Sequence, residues 1–91
     1  MTLEEFELLR GDLESEIIAR KYLRGEALTA EERYRMNNIQ ESVREDWAIT
    51  RDQAALMLVI GYQPERVLSI CRPGSRDQIR AMAQAMRARA A

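Results

Sequence analysis

Four helix-start signals divide the chain into short segments and leave few folds open to it. Each signal is a threonine or serine followed three residues later by glutamate or glutamine. The hydroxyl can accept a hydrogen bond from an early backbone N–H, while the longer side chain reaches back to the N-cap. The four signals begin at Thr2, Thr29, Thr50 and Ser75. Helix-stop signals stand between them, at Gly25, at Gly61 and at the Pro73-Gly74 pair.

These signals predict an all-α protein of about five helices, because no stretch of the sequence shows the alternation of a strand. The predicted ranges are 3–24, 30–48, 51–60, 64–72 and 76–89. A short link containing Gly25 joins the first two helices, so we expect them to fold back as an antiparallel hairpin. A chain of 91 residues suits one domain, 1–91, with a single modest core.

Apolar residues at three- and four-residue spacing predict which face of each hairpin helix meets the core. In the first helix these are Phe6, Leu9, Leu13 and Ile17, widened by Ile18 and Tyr22. In the second helix they are Met36, Ile39, Val43 and Trp47. A helix over 3–24 would be about 33 Å long. Because a core of this size covers such a helix poorly, we expect a second copy or another partner to bury part of the hairpin.

Charge separates the two halves of the chain, although the net charge is only −1. Residues 1–46 contain twelve acidic and seven basic residues, whereas residues 47–91 contain seven arginines and three acidic residues. The sequence therefore predicts an acidic hairpin over 1–48 and an arginine-rich part over 49–91, with different roles.

The composition argues against catalysis. Histidine is absent, which removes the commonest general base, the serine–histidine and cysteine–histidine pairs, and nearly all catalytic zinc sites. The four glycines are too far apart to form a phosphate-binding loop. We expect a non-enzymatic protein with no catalytic residue, no cofactor, no metal and no small-molecule substrate.

Cysteine usage and hydropathy predict the cellular setting. The single cysteine, Cys71, has no partner for an internal disulfide, and no apolar run approaches the roughly 20 residues that span a bilayer. The first seven residues carry three glutamates and no basic residue, unlike a secretory signal. These features predict a cytoplasmic protein that does not enter a membrane.

The stretch 53–72 carries the most functional information. It reads QAALMLVI, GYQ and PERVLSICR in succession, which predicts about two turns of helix, a three-residue turn beginning with Gly61, and a second helix. The apolar residues expected to join the two helices are Leu56, Ile60, Tyr62, Val67 and Ile70. This spacing resembles the helix-turn-helix of bacterial and phage regulators, over about twenty residues of the chain.

In that family the second helix enters the major groove of DNA, and residues near its start contact base edges. The resemblance implies a DNA- or partner-binding set made of Gln63, Glu65, Arg66, Ser69 and Arg72. Gln63 suits an adenine edge, Arg66 a guanine edge or a phosphate, and Arg72 a phosphate. Two positions depart from the family pattern. Met57 stands where a small alanine is favoured, and Val59 stands where a polar residue is usual.

The final predicted helix adds three arginines to this binding set. Its apolar stripe is formed by Ile79, Met82, Ala83 and Met86, whereas Arg76, Arg80 and Arg87 gather on another side. Arginines placed in this way suit DNA phosphates, an acidic surface of a partner protein, or the acidic hairpin of a second copy. Arginines on a solvated helix face near the C-terminus are the more ordinary interpretation.

Three functions remain open at this point. The first is a homodimeric transcriptional regulator of helix-turn-helix type, of the kind carried by phages or mobile elements, in which the hairpin dimerises. The second is a phage or accessory adaptor or inhibitor that binds a host or cognate protein through its helical surface. The acidic first half favours the second function, because it repels a phosphate backbone. The third is a purely structural subunit of a larger assembly. A glycine turn between two short core helices also occurs in many small helical proteins that do not bind DNA.

Overall fold

The computed structural model describes residues 12–90 of the chain. Five α-helices lie within them: α1 Leu13–Leu23, α2 Ala30–Arg44, α3 Arg51–Val59, α4 Pro64–Ile70 and α5 Arg76–Ala90. A 3-10 turn, Pro73–Ser75, precedes α5. Within the described residues the strand-type pairing is limited to a single bridge between Ile49 and Cys71. The predicted all-α class is confirmed. The helix start predicted at Thr2, and the stripe residues Phe6 and Leu9, lie outside the described residues.

The predicted single helix over 3–24 is wrong, because α1 begins at Leu13. Asp12 is its N-cap, in an extended conformation. The Asp12 carboxylate accepts from the Ser15 backbone N–H at 3.2 Å and from the Ser15 hydroxyl at 2.9 Å. The Asp12 N–H donates to the Asp52 carboxylate at 2.6 Å. An aspartate that offers its side chain to early helix N–H groups starts a helix rather than continuing one.

The face of α1 that was expected to enter the core also differs. Ile18 is buried, but Leu13 is 66% exposed and Ile17 is 40% exposed. The buried polar residue of α1 is Ser15, whose hydroxyl donates to the Asp12 carboxylate. The reason lies in the partner of the helix: α1 packs most extensively against α3 and only secondarily against α2. The helix is therefore rotated so that Ser15 and Ile18 face inward.

The antiparallel hairpin of α1 and α2 is present, as predicted. Lys21 near the end of α1 donates to Glu32 near the start of α2, with the Nζ and Oε1 atoms 2.9 Å apart. Glu14 near the start of α1 pairs with Arg35 further along α2. The capping box that was predicted at Thr29 is complete, since its hydroxyl accepts from the Glu32 N–H and its N–H donates to Glu32.

The second helix ends at Arg44, short of the predicted 48, because Asp46 takes a left-handed conformation with φ 59°. The Asp46 N–H donates to the Val43 carbonyl and the Trp47 N–H donates to the Ser42 carbonyl, which is the Schellman pattern of helix termination. Trp47 consequently leaves the apolar stripe and is 57% exposed. Its predicted place in the core is wrong.

The core is built around α3. The Thr50–Gln53 capping box that was predicted for its start is complete. Four of its nine residues are buried, namely Ala54, Leu56, Met57 and Leu58. The remaining buried apolar residues come from every other described helix and the links between them: Ile18, Ile39, Val43, Ile49, Val67, Ile70, Cys71, Ile79 and Ala83. A short helix can hold this central position because burial of its side chains, rather than its own propensity, stabilises it.

The capping box predicted at Ser75 does not form. Both the backbone N–H and the hydroxyl of Ser75 donate to the carbonyl of Arg72, each at 2.9 Å. The Gln78 side chain accepts from Arg51 instead. Pro73 favours this outcome, because its fixed φ starts a tight turn immediately before α5. The predicted core residues of α5 are confirmed in part: Ile79 and Ala83 are buried, whereas Met82 is 38% exposed.

Candidate functional site

The turn predicted at Gly61 is confirmed. Gly61 adopts a φ of 107°. Its N–H donates to the Leu58 carbonyl and the Tyr62 N–H donates to the Met57 carbonyl, at 3.1 and 3.0 Å. This Schellman pattern ends α3, and Pro64 begins α4 with a ring whose missing N–H costs nothing in a first turn. Two distinct helices therefore occupy 51–70, in contact with each other.

The apolar side of α4 faces inward and its polar side faces outward. Val67 is fully buried and Ile70 is 8% exposed. Gln63, Glu65 and Ser69 are all exposed. Glu65 and Ser69 are four residues apart and so share one face of the helix. We call Gln63, Glu65 and Ser69 the outer edge of α4.

Backbone pairing fixes the C-terminal end of α4. The Ile49 N–H donates to the Ile70 carbonyl at 3.2 Å, next to the bridge between Ile49 and Cys71. Cys71 is buried, and burial raises the pKa of its thiol, although the nearby Arg76 charge opposes the rise. A thiol in this state packs as a small apolar side chain.

The side chain of Arg66 is bound within the chain. Its two terminal guanidinium nitrogens donate to the Asp46 carboxylate and to the Val43 carbonyl, both at the end of α2. The backbone carbonyl of Arg66 accepts a hydrogen bond from the Ser69 hydroxyl at 2.6 Å. The structure therefore places Arg66 at the junction of α4 and the hairpin, beside the outer edge rather than on it.

Two arginines of α5 also have acidic partners. Arg80 pairs with Asp77 one turn earlier, with the nitrogen and oxygen 3.1 Å apart. Arg87 reaches Glu65 of α4 at 3.3 Å. Both pairs are largely exposed, so each contributes no more than about 1 kcal/mol to the stability of the fold. The pairing still reduces the positive potential that these two arginines offer to a phosphate.

Arg72 and Arg76 are the other two arginines of the predicted set. Arg72 is half-buried between α4 and the 3-10 turn, and Arg76 is exposed at the first position of α5. Across residues 12–90, no carboxylate forms an ion pair with either guanidinium. The structure thus places Glu65 and Ser69 on α4 and Gln63 at its N-cap, with Arg87 of α5 paired to Glu65. Arg72 and Arg76 lie near the C-terminal end of α4.

The hairpin carries a second exposed surface. Tyr34 on α2 is 69% exposed, and Leu13 and Ile17 on α1 are exposed as well. Two shallow clefts of about 330 and 300 Å³ flank α2 and share Glu31 and Arg35 as lining residues. Tyr34 lines the first cleft and Ile17 the second. We call Ile17, Tyr34 and these clefts the hairpin surface.

Sequence reasoning did not find Asp46 and Val43, the partners of Arg66. They lie 20 and 23 residues from it, so no local spacing connects them. Leu68 was also left out of the candidate set. It is half-buried on α4 and packs against the core.

Comparison with protein-family models, with curated proteins and with solved structures finds no match. Within the part of the chain that the structure describes, no helix combines the length and apolar character needed to cross a membrane.

Proposed function

We propose that this chain is a small, non-enzymatic DNA-binding protein of helix-turn-helix type that regulates transcription as a homodimer. The observation that carries the proposal is the placement of α4. Its apolar side is buried beyond the Gly61 turn, while Gln63, Glu65 and Ser69 are exposed on its outer edge. A helix held by its apolar side, with polar side chains facing outward, is suited to contact base edges in a major groove.

Each residue of the outer edge has a matching base chemistry. The amide of Gln63 can both donate to and accept from adenine, and the carboxylate of Glu65 can accept from the cytosine amino group. The hydroxyl of Ser69 pairs with either a donor or an acceptor. Arg72 and Arg76 would supply the positive charge that phosphates require, since α4 itself contributes no unpaired cation to the outer edge.

Selection from a random-sequence duplex pool at low salt tests the proposal. A labelled duplex recovered in this way is then titrated at several salt concentrations, with fluorescence anisotropy as the readout. We expect it to bind about a thousandfold tighter than a scrambled duplex. Arg72→Ala and Arg76→Ala should each reduce the slope of log affinity against log salt by about 0.9, one phosphate contact apiece.

Arg24→Ala is the matched control. This arginine lies after α1 and pairs with Glu26, so its loss should leave both affinity and slope unchanged. If no duplex is enriched, or if the slope is the same in wild type and in both the Arg72 and Arg76 variants, the DNA-binding proposal is wrong.

A protein partner is the second candidate, and the exposed aromatic residues favour it. Tyr34 and Trp47 are 69% and 57% exposed, and such residues often dominate binding energy at protein interfaces. Under this alternative, a stoichiometric partner is recovered from native lysate by the wild type and lost with Tyr34→Ala or Trp47→Ala. Recovery of enriched DNA without any such partner would reject it.

A further inference from the structure

Arg66 differs from the outer-edge residues because its guanidinium is directed back to the hairpin. One terminal nitrogen donates to the Asp46 carboxylate and the other to the Val43 carbonyl. The Val43 carbonyl lies in the last turn of α2, where helix carbonyls carry partial negative charge. The planar fork of arginine fits two acceptors at once, which the single ammonium of lysine does not.

The two acceptors are held side by side by the termination of α2. Asp46 is the left-handed residue of its Schellman pattern, and its N–H donates to the same Val43 carbonyl at 3.4 Å. The carboxylate and the carbonyl therefore belong to one rigid turn. Because one of the two acceptors is a backbone carbonyl, Arg66 is bound to the backbone at the end of the hairpin as well as to the Asp46 side chain.

We propose that Arg66 is a positioning residue: it fixes the N-terminal half of α4 against the end of α2, and so orients the outer edge, without contacting DNA itself. The proposal rests on the DNA-binding function proposed above. The C-terminal end of α4 is fixed independently by the bond between Ile49 and Ile70. Near the start of α4, a second polar contact with a distant side chain is the exposed ion pair between Glu65 and Arg87. Loss of Arg66 therefore leaves the start of α4, with Gln63 and Glu65, held mainly by the buried Val67 and so less firmly oriented.

Affinity for the selected duplex, measured at several salt concentrations, separates positioning from direct contact. The variants are Arg66→Ala, Arg66→Lys, Asp46→Asn and the double variant Arg66→Ala/Asp46→Asn. Asparagine tolerates the left-handed conformation, so Asp46→Asn removes the charge and keeps the turn. We expect Arg66→Ala and Asp46→Asn each to weaken binding by about fivefold with an unchanged salt slope, the size of a hydrogen bond to a charged group after solvent screening.

Two further results are expected from positioning. The double variant should bind no more weakly than Arg66→Ala, because both changes remove the same attachment. Arg66→Lys should fall between wild type and Arg66→Ala. A salt slope reduced by about 0.9 in Arg66→Ala, with undiminished affinity in Asp46→Asn, would instead show that Arg66 contacts a phosphate.

Amide hydrogen exchange on the free protein keeps the test independent of DNA. We expect the amides of residues 66–68 to exchange faster in Arg66→Ala and Asp46→Asn than in wild type, while those of α3 remain unchanged. If wild type enriches no duplex, the proposed function fails and the exchange data alone decide whether Arg66 holds α4. Unchanged exchange in both variants would overturn the positioning role whatever the DNA result.

Discussion

At the scale of single residues, Gly61 has the conformation on which the α3–α4 arrangement depends. Its φ is 107°, and a Cβ built there would meet no atom within 4 Å. The cost of any other residue is therefore conformational and not steric. We expect Gly61→Ala to lower the free energy of unfolding by about 1–2 kcal/mol. Chemical denaturation followed by circular dichroism measures this change.

Asparagine provides the control for that prediction. Because it enters the left-handed region more readily than alanine, Gly61→Asn should be less destabilising than Gly61→Ala. Gly25, at φ 71° and equally free of neighbours, should show the same ranking of alanine and asparagine. Alanine variants as stable as wild type at both positions would mean that neither glycine is left-handed in solution.

Protonation of Glu32 is expected to make the stability of the hairpin depend on pH. Hydrogen bonding from the Thr29 backbone N–H, and then from Lys21, holds the pKa of Glu32 below its ordinary value of 4.5. A carboxyl group with a lowered pKa in the folded state stabilises the fold fully above its unfolded pKa. That stabilisation is lost as the pH falls through the lowered folded value.

The corresponding prediction compares unfolding free energies between pH 7 and pH 3. Glu32→Gln should lose less stability on acidification than wild type does, because it has no proton to gain at this position. Lys21→Met should keep most of the wild-type pH dependence, since the Thr29 N–H is the larger cause. Equal acid sensitivity of wild type and Glu32→Gln would contradict the assignment.

At the scale of helices, Met57 shows how α3 holds its central position. The helix-turn-helix pattern used for the prediction favours a small alanine at this position, yet Met57 is fully buried. Its side chain therefore fills space that an alanine would leave empty. We expect Met57→Ala to destabilise the protein by about 2–4 kcal/mol and Met57→Leu by less than about 1.5 kcal/mol. Equilibrium denaturation of both variants checks this, and a neutral Met57→Ala would imply looser packing than the structure has.

Helix boundaries were predictable from the sequence where the signal is local. The capping boxes at Thr29 and Thr50 formed because each requires only residues three apart. The turns at Gly25 and Gly61 formed because glycine reaches positive φ without penalty. Asp46 ends α2 in the same way, but aspartate enters this region only in a favourable context, so its role was not foreseeable.

Tertiary contacts decided the features that sequence patterns missed. The inward face of α1 depends on packing against α3, which its own periodicity does not encode. The Ser75 signal failed because a proline-led 3-10 turn directs both polar groups of Ser75 to Arg72. In the candidate site, the exposure of Glu65 and Ser69 followed from helical spacing, and that of Gln63 from its place at the N-cap of α4. The attachment of Arg66 to Asp46 joins residues 20 apart and required the fold itself.

At the scale of the whole molecule, charge and apolar exposure are distributed unequally. The first half carries most of the acidic residues, and the hairpin surface exposes Ile17 and Tyr34. Acidic residues repel DNA, so in a DNA-binding protein the hairpin faces away from the duplex. The exposed apolar residues of the hairpin surface are then available for a second copy, because a twofold dimer buries the same patch of both chains.

We therefore expect the protein to sediment as a dimer at micromolar concentration, with Ile17→Glu/Tyr34→Glu converting it to a monomer. Both positions are exposed, so the substitutions should leave the thermal stability of the monomer fold nearly unchanged, while like charges brought together across the twofold axis oppose association. Met82→Glu, on an exposed position of α5, is the matched control and should remain dimeric. A wild type that sediments as a monomer would rule out the dimer. A double variant that stays dimeric would place the dimer interface elsewhere.

Because two half-sites bound together gain affinity over one, the monomeric variant should also bind the selected duplex more weakly, although its outer edge is intact.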